Sequence, residues 1–344
     1  MKKLFLTIVV INLISTNFLL SQISNPKSQL ESLLLAGDKD RNSLFQGYFQ
    51  PALESSIHAL NTGWFSSAKI HRKLGFDFKI SLNIVKISEQ SEVFDISNLN
   101  YITSNSNTIP TIFGTTKGEE LTVTIPEDGI RPELSSKFIS PGGVKESLPF
   151  NVVALPNLQL SVGVPLNSEI TLRYVPSYNQ NSVVFSSYGV GLKHNLIKYL
   201  GLIDKVPGLN ISLFGSYSNL ELTYSNMGGE NENSSFNVSA YNALILSSFD
   251  AKLIEIYSGF GYSGGNSALT VNGKYDLSYN TSVSGEYYNF SIGGDKPIIN
   301  TEFEKKKLIF NLGLKFKLAF LHTFLDYTFS DIDTISAGLA FSFR

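Results

Sequence analysis

From Leu74 to the C-terminus, apolar residues recur at every second position in one run after another. In the first run Phe76, Phe78, Ile80, Leu82 and Ile84 alternate with Asp77, Lys79, Ser81 and Asn83. Successive side chains of a β-strand point to opposite faces, so such a run has one apolar and one polar face. The pattern returns in Ile170, Leu172 and Tyr174 against Thr171 and Arg173, and in Tyr188, Val190 and Leu192 against Gly189, Gly191 and Lys193. It returns again in Leu312, Leu314, Phe316 and Leu318 against Gly313, Lys315 and Lys317. The last run sets Ile335, Ala337, Leu339, Phe341 and Phe343 against Ser336, Gly338, Ala340 and Ser342. Further strands are expected near 93–103, 152–164, 208–226, 234–249, 252–263 and 322–330, with 108–126 and 268–293 as additional candidates. A polar face that carries Lys and Arg admits two architectures. In a soluble sandwich the charges face water; in a membrane barrel they line the lumen and the apolar face meets lipid. No stretch after the first twenty or so residues suits a membrane-crossing helix, so any crossing falls to strands.

The start of the chain favours the barrel. Lys2 and Lys3 precede an apolar run from Leu4 to Val10, broken by Thr7 and continuing loosely to Leu20, and Ser21-Gln22 supplies a small residue for cleavage. Residues 1–21 therefore read as a cleaved secretory signal peptide. Charged residues are only 16 % of the chain and aromatics 12 %, with 27 glycines. This composition suits an outside that touches lipid and equally a soluble β-sandwich, so composition alone does not decide. With 27 basic and 29 acidic residues, the net charge of −2 gives no basic surplus for nucleic acid. The absence of cysteine excludes a disulfide scaffold and a thiolate metal site.

Residues 22–70 lack this alternation. Leu30, Leu33 and Leu34 have helical spacing before Ala36-Gly37, and a second helical stretch is expected from about Ser43 to Leu60. Asn61-Thr62-Gly63 then breaks the pattern ahead of Trp64-Phe65. Lying just before the first strand, this segment is expected to plug or cap the periplasmic end of a barrel formed by residues 71–344. Leu33, Leu34, Phe45, Phe49 and Trp64 would be buried against the barrel interior or rim. Connector lengths agree with a barrel. Short turns at Pro165–Ser168, Phe249–Lys252 and Phe320–Thr323 alternate with long polar loops at Asn226–Ser235 and Gly264–Lys306. Asn195–Gly208 reads as a short interfacial helix, and 104–150 as a large outer loop or an inward fold.

The C-terminal strand, ending in Phe341 and Phe343, resembles the strand read by the barrel-assembly machinery, with Arg344 in place of the usual terminal aromatic. Three stretches resemble an uncharacterised, domain-of-unknown-function family of Gram-negative outer-membrane barrels. They are Leu34-Leu35-Ala36-Gly37 with Tyr48-Phe49-Gln50-Pro51, then Asn61-Thr62-Gly63-Trp64-Phe65, then Gly313 to Arg344. An N-terminal plug ahead of a medium-sized barrel is loosely similar to the long-chain fatty-acid transporters. The resemblance implies location in the outer membrane, contact with its lipid and no particular activity.

The polar faces place Lys79, Arg173, Lys193, Lys315 and Lys317 in the lumen beside Asp77 and Asp326. This basic excess reads either as a site that attracts an anion or as charges paired with each other and with acids of the N-terminal segment, such as Glu31, Asp38, Asp40 and Glu54. Asp38, Asp40 and Asn42 open like a calcium loop, but Ser43 and Phe49 stand where Gly and Glu are needed. No metal or cofactor is expected. His58, His71, His194 and His322 do not fall at the outer leaflet, where lipid-modifying chemistry would need them, so the chain is not expected to be an enzyme. The expectation is an all-β, antiparallel transmembrane barrel of 12–14 strands, acting as a plug-gated passive channel for a small hydrophobic or anionic solute. A structural or adhesion barrel with a filled lumen, and an outer-membrane lipid-modifying enzyme, are the alternatives.

Overall fold

The polar face of each long strand turns inward. In the first strand Asp77, Lys79, Ser81 and Asn83 are buried, while Phe76 and Phe78 are exposed and Ile80, Leu82 and Ile84 half-buried. The same inversion leaves Leu172, Val190, Ile245 and Leu312 about half exposed and buries Arg173, Lys193 and Lys315. A water-soluble sandwich has the opposite arrangement, so the inversion decides between the two architectures in favour of a transmembrane barrel.

The computed structural model describes residues 32–130, 132–180, 183–201, 205–224, 234–272, 275–283, 286–294 and 299–343. The expected signal peptide, Glu31, Arg344 and most of the loop at 226–235 lie outside them. One long helix, α1 (Gly37–Asn61), precedes the strands. The next six are β1 (Phe76–Lys86), β2 (Val93–Asp95), β3 (Ile102–Ser104), β4 (Thr108–Pro110), β5 (Glu120–Ile125) and β6 (Leu134–Ile139). Then come β7 (Val152–Val164), β8 (Ser168–Gln180), β9 (Val183–Asn195), β10 (Leu209–Tyr224), β11 (Ser234–Ala251) and β12 (Ile254–Val271). The last are β13 (Tyr275–Val283), β14 (Glu286–Gly294), β15 (Ile299–Leu318), β16 (Leu321–Phe329) and β17 (Thr334–Phe343).

Ten of these strands close an antiparallel barrel in the order β1-β17-β16-β15-β12-β11-β10-β9-β8-β7. The expected 12–14 strands are therefore corrected to ten. The remaining strands build a five-stranded sheet, β14-β13-β6-β5-β3, and a two-stranded one, β2-β4. Their alternation is the same as that of wall strands, because period two reports a two-faced strand and not the sheet it joins. Most are also too short to cross a bilayer, which takes about 9–11 residues. Gly264–Lys306 is likewise not a loop: β12 and β15 pair on to Val271↔Ile299, and the β13–β14 hairpin lies between them. At Asn195–Gly208 the expected interfacial helix is a single 3-10 turn, Ile197–Tyr199.

The first and last wall strands join at Phe76↔Phe343, where the two rings stack at 5.2 Å. The short turns β7–β8, β11–β12 and β15–β16 lie at this end with the longer β9–β10 connection, and the long β1–β7, β10–β11 and β12–β15 connections lie at the other. The N-terminal segment does not cap the short-turn end. Helix α1 is one continuous helix through Pro51, starting at Gly37 where a helix stop was expected. Its first half packs among the small sheets beyond the long-loop end. There Leu33, Leu34, Leu44, Phe45 and Tyr48 share a core with Ile96, Ile109, Val123, Leu134 and Leu277, and Phe49 packs against it. The Tyr48 hydroxyl donates to Gly142 O at 2.8 Å, and burial pushes that phenol above its ordinary pKa. The Asp40 carboxylate accepts the backbone N–H groups of Asn100 (2.9 Å) and Tyr101 (2.6 Å), tying the helix to the residues just ahead of β3.

Candidate functional site

Past residue 56 the chain descends through the barrel. Ile57 and Leu60 pack against Val85, Leu155, Leu220 and Val238 near the long-loop end. Trp64, Phe65 and Ala68 pack against Phe214, Leu246 and Tyr257 lower down. His71 then meets Glu169 and Ser342 at the short-turn end. From the level of Val85 to that of Asp77 is on the order of 25 Å along β1 at ~3.3 Å per residue. An eight-stranded barrel is just filled by its own side chains and a sixteen-stranded one leaves an open channel. A ten-stranded wall falls between, with room for one strip of chain.

The turn that starts the descent is set by Gly63, with a φ of +67° and no side chain; a Cβ there would lie 2.2 Å from Asn83 Oδ1. Room for the only tryptophan comes from Gly189, where a Cβ would stand 2.9 Å from the Trp64 ring. The descending backbone lacks a strand partner, so the wall side chains satisfy it. Asn83 donates to Ala59 O (2.7 Å) and Thr62 O (2.9 Å), and Asn242 donates to Asn61 O (2.9 Å). Ser212 donates to Ala68 O at 2.5 Å.

The inward charges expected from the sequence divide by height. Arg173 donates to Leu60 O (3.0 Å), Thr62 O (3.1 Å) and Gln159 Oε1 (3.3 Å), and its guanidinium lies 3.9 Å from the Trp64 ring centroid. It thus binds the last carbonyls of α1, the negative end of that helix. Lys79 donates to Gly63 O (2.9 Å) and Trp64 O (3.0 Å). Asp326 accepts from Tyr257 and Asn311, each at 2.9 Å. Nearer the short-turn end Lys193 pairs with Glu169 at 2.8 Å, and Lys317 with Asp250 and Glu255, each at 2.8 Å. Asp77 lies 3.9 Å from His71 Nε2. Lys315 is buried but forms no hydrogen bond or ion pair to the described residues; it lines a cavity. Of the segment's acids, Glu54 pairs with Lys305 at 2.6 Å, outside this set.

That cavity, about 770 Å³, lies beneath Trp64 between the descending segment and the wall. Seven lysines and arginines line it against four carboxylates.

The model of a family of unknown function, DUF6588, matches residues 1–343. The chain belongs to that family. No curated protein matches the chain by sequence. Among solved structures it is similar to the attachment invasion locus protein Ail of Yersinia pestis, at 7 % identity and a TM-score of 0.27, over 79 % of this chain and 99 % of that one. It is similar to the outer membrane protease OmpT from Escherichia coli at 10 % identity and a TM-score of 0.32, over 78 % and 97 %. The transport unit of the autotransporter AIDA-I from Escherichia coli gives 8 % identity and 0.31, over 86 % and 99 %. At such scores the neighbours transfer no function; the outer-membrane type of barrel rests on the closed wall and its inverted faces.

For this DUF6588 member, sequence reasoning missed Glu169 and Glu255, the buried acids that pair with the lumenal lysines. The signal was present. Glu169 has the parity of Thr171 and Arg173 in β8, and Glu255 that of Tyr257 in β12. Lys69 and His71 had no such signal, because their place depends on the route of the segment. Lys69 pairs with Asp250 at 3.2 Å.

Proposed function

We propose that this chain resides in a bacterial outer membrane as a passive path for a small anionic solute, closed at rest by its own N-terminal segment. The apolar band meets membrane lipid, the strand ending in Phe343 is read by the assembly machinery, and the long-loop end faces outward. The observation that carries the reading is the seating of residues 57–71 along the charged inner wall, above a polar cavity with a basic excess. The segment is held mainly by hydrogen bonds and side-chain packing and has no β-ladder to the wall, so it can leave without breaking the barrel. The excess of positive charge favours anions over hydrophobic solutes.

The chain has no cysteine, so an introduced pair is unambiguous. Ala68→Cys with Ser212→Cys joins segment to wall where Ser212 Oγ and Ala68 O are 2.5 Å apart. Planar-bilayer recordings are expected to show anion-selective openings under reducing conditions that vanish on oxidation and return on reduction. Silence in both states, and in a barrel lacking residues 22–70, refutes the path.

A second reading is a structural or adhesion barrel with a permanently filled lumen. It is favoured by the pairing of nearly all the named lumenal charges and by the folded outer cap, which presents the edges of a five-stranded sheet. The same recordings separate the two.

A further inference from the structure

Three residues far apart in the sequence meet at the edge of the cavity. His71 Nδ1 lies 2.8 Å from Glu169 Oε2, and His71 Nε2 lies 3.1 Å from Ser342 Oγ. All three line the cavity. Their proton positions are set by chemistry. Glu169 is paired with Lys193 at 2.8 Å and accepts the backbone N–H of His71 at 3.0 Å, so it is a carboxylate and can only accept. The proton between Glu169 and His71 therefore sits on Nδ1. In the neutral imidazole Nε2 then carries the lone pair and the Ser342 hydroxyl donates to it, with Asp77 Oδ2 3.9 Å from the same nitrogen. A serine whose proton points at an imidazole base, with that base oriented by a buried carboxylate, is the arrangement of an activated nucleophile.

The other serine–histidine contacts lack part of this set. Ser330 Oγ lies 3.3 Å from His58 Nδ1, but its hydroxyl donates to Ile332 O and His58 Nε2 has no partner among the described residues. Ser168 Oγ lies 2.9 Å from His194 Nδ1, and the histidine has no carboxylate within bonding distance among the described residues.

We propose that Ser342, His71 and Glu169 form a hydrolytic site for small esters that carry a negative charge and enter from the short-turn end. Ser342 Oγ attacks the ester carbonyl while His71 Nε2 takes its proton. Collapse of the tetrahedral intermediate breaks the carbonyl–alkoxy bond, and His71 returns the proton to the departing alcohol. Water, deprotonated by His71, then attacks the acyl-serine, the acyl–Oγ bond breaks as His71 returns that proton to Ser342 Oγ, and the acid leaves, so one ester and one water give one acid and one alcohol. Glu169 holds the imidazole and balances its transient charge. Lys315, buried on the same cavity wall with no bonded partner among the described residues, meets the negative group of the substrate. The cavity is of a size that holds a small molecule. The inference goes beyond the path proposed above and does not need the lumen to open.

The test uses the full-length protein in detergent and in liposomes. A fluorophosphonate is expected to label the protein at Ser342, located by peptide mass spectrometry. Hydrolysis of the 4-nitrophenyl monoester of succinic acid is expected to exceed that of 4-nitrophenyl acetate in kcat/KM by at least tenfold. Ser342→Ala and His71→Gln should each abolish labelling and lower hydrolysis at least 100-fold. Lys315→Met should remove the preference for the charged ester through a raised KM. Labelling elsewhere or none at all in the folded wild-type protein overturns the proposal, and so does hydrolysis that persists in Ser342→Ala. The wild-type labelling experiment decides even if a variant fails to fold, and bilayer silence would leave this result untouched.

Discussion

Replacing Arg173 by Met tests whether the descending segment is held by the wall or merely lies against it. The guanidinium gives two charge-assisted hydrogen bonds to Leu60 O and Thr62 O, and a third to Gln159. It also lies over Trp64 at 3.9 Å. Hydrogen bonds from a charged group contribute about 1.5–3 kcal/mol each, and a desolvated cation–π contact about 2 kcal/mol. Two effects reduce this. Leu60 O still receives the Trp64 indole N–H at 2.9 Å and Thr62 O still receives Asn83 at 2.9 Å, so neither carbonyl is orphaned. Arg173 is also buried without a carboxylate within ion-pairing distance among the described residues, and removing such a charge returns several kcal/mol of desolvation. A gross loss of about 6–7 kcal/mol, at the low end because neither carbonyl is orphaned, offset by about 4–5 of desolvation leaves about 2 kcal/mol. That is roughly a thirtyfold shift toward the undocked segment. Trp64 is the only tryptophan, so its emission reports the segment alone. In a urea titration of micelle-bound protein, the free energy of Trp64 exposure should fall by about 2 kcal/mol in Arg173→Met, with Arg173→Lys in between. An unchanged transition and unchanged acrylamide quenching, in a variant whose heat-modifiable gel migration shows an intact barrel, would falsify the wall-held segment.

Three further outcomes are expected. Leu312→Arg, on the outward face, should destabilise the barrel in liposomes by about 2–4 kcal/mol, whereas equal stability would remove Leu312 from the lipid-facing band. Gly189→Leu should overpack the Trp64 pocket by about 1–3 kcal/mol and expose the indole to quencher; normal quenching would mean that Trp64 does not rest on β9. An epitope placed just ahead of Ser32 should be reached by antibody on intact cells, because the segment rises through the barrel to the long-loop end, and access only after permeabilisation would reverse the orientation.

Much was legible in the sequence because strand parity is a local property. Once Phe76, Phe78 and Ile80 share a face, Asp77 and Lys79 must share the other, whatever the strand pairs with. The same parity puts Arg173, Lys193, Lys315, Lys317 and Asp326 on the polar faces of their strands, and read through β8 and β12 it would have added Glu169 and Glu255. The expected leader and the short turns then favour a barrel over a sandwich. Three things were beyond local pattern. The strand count was one, since β5, β6 and β13 alternate like wall strands and only their hydrogen-bonded neighbours put them in a separate sheet. The route of residues 37–73 was another: apolar spacing says that Leu44, Phe45 and Trp64 are buried but not at which end of the barrel. The meeting of His71, Glu169 and Ser342 was the third. It needs closure of β1 on β17 and the descent of the segment at once, and both are set by pairings across most of the chain that no run of neighbouring residues encodes.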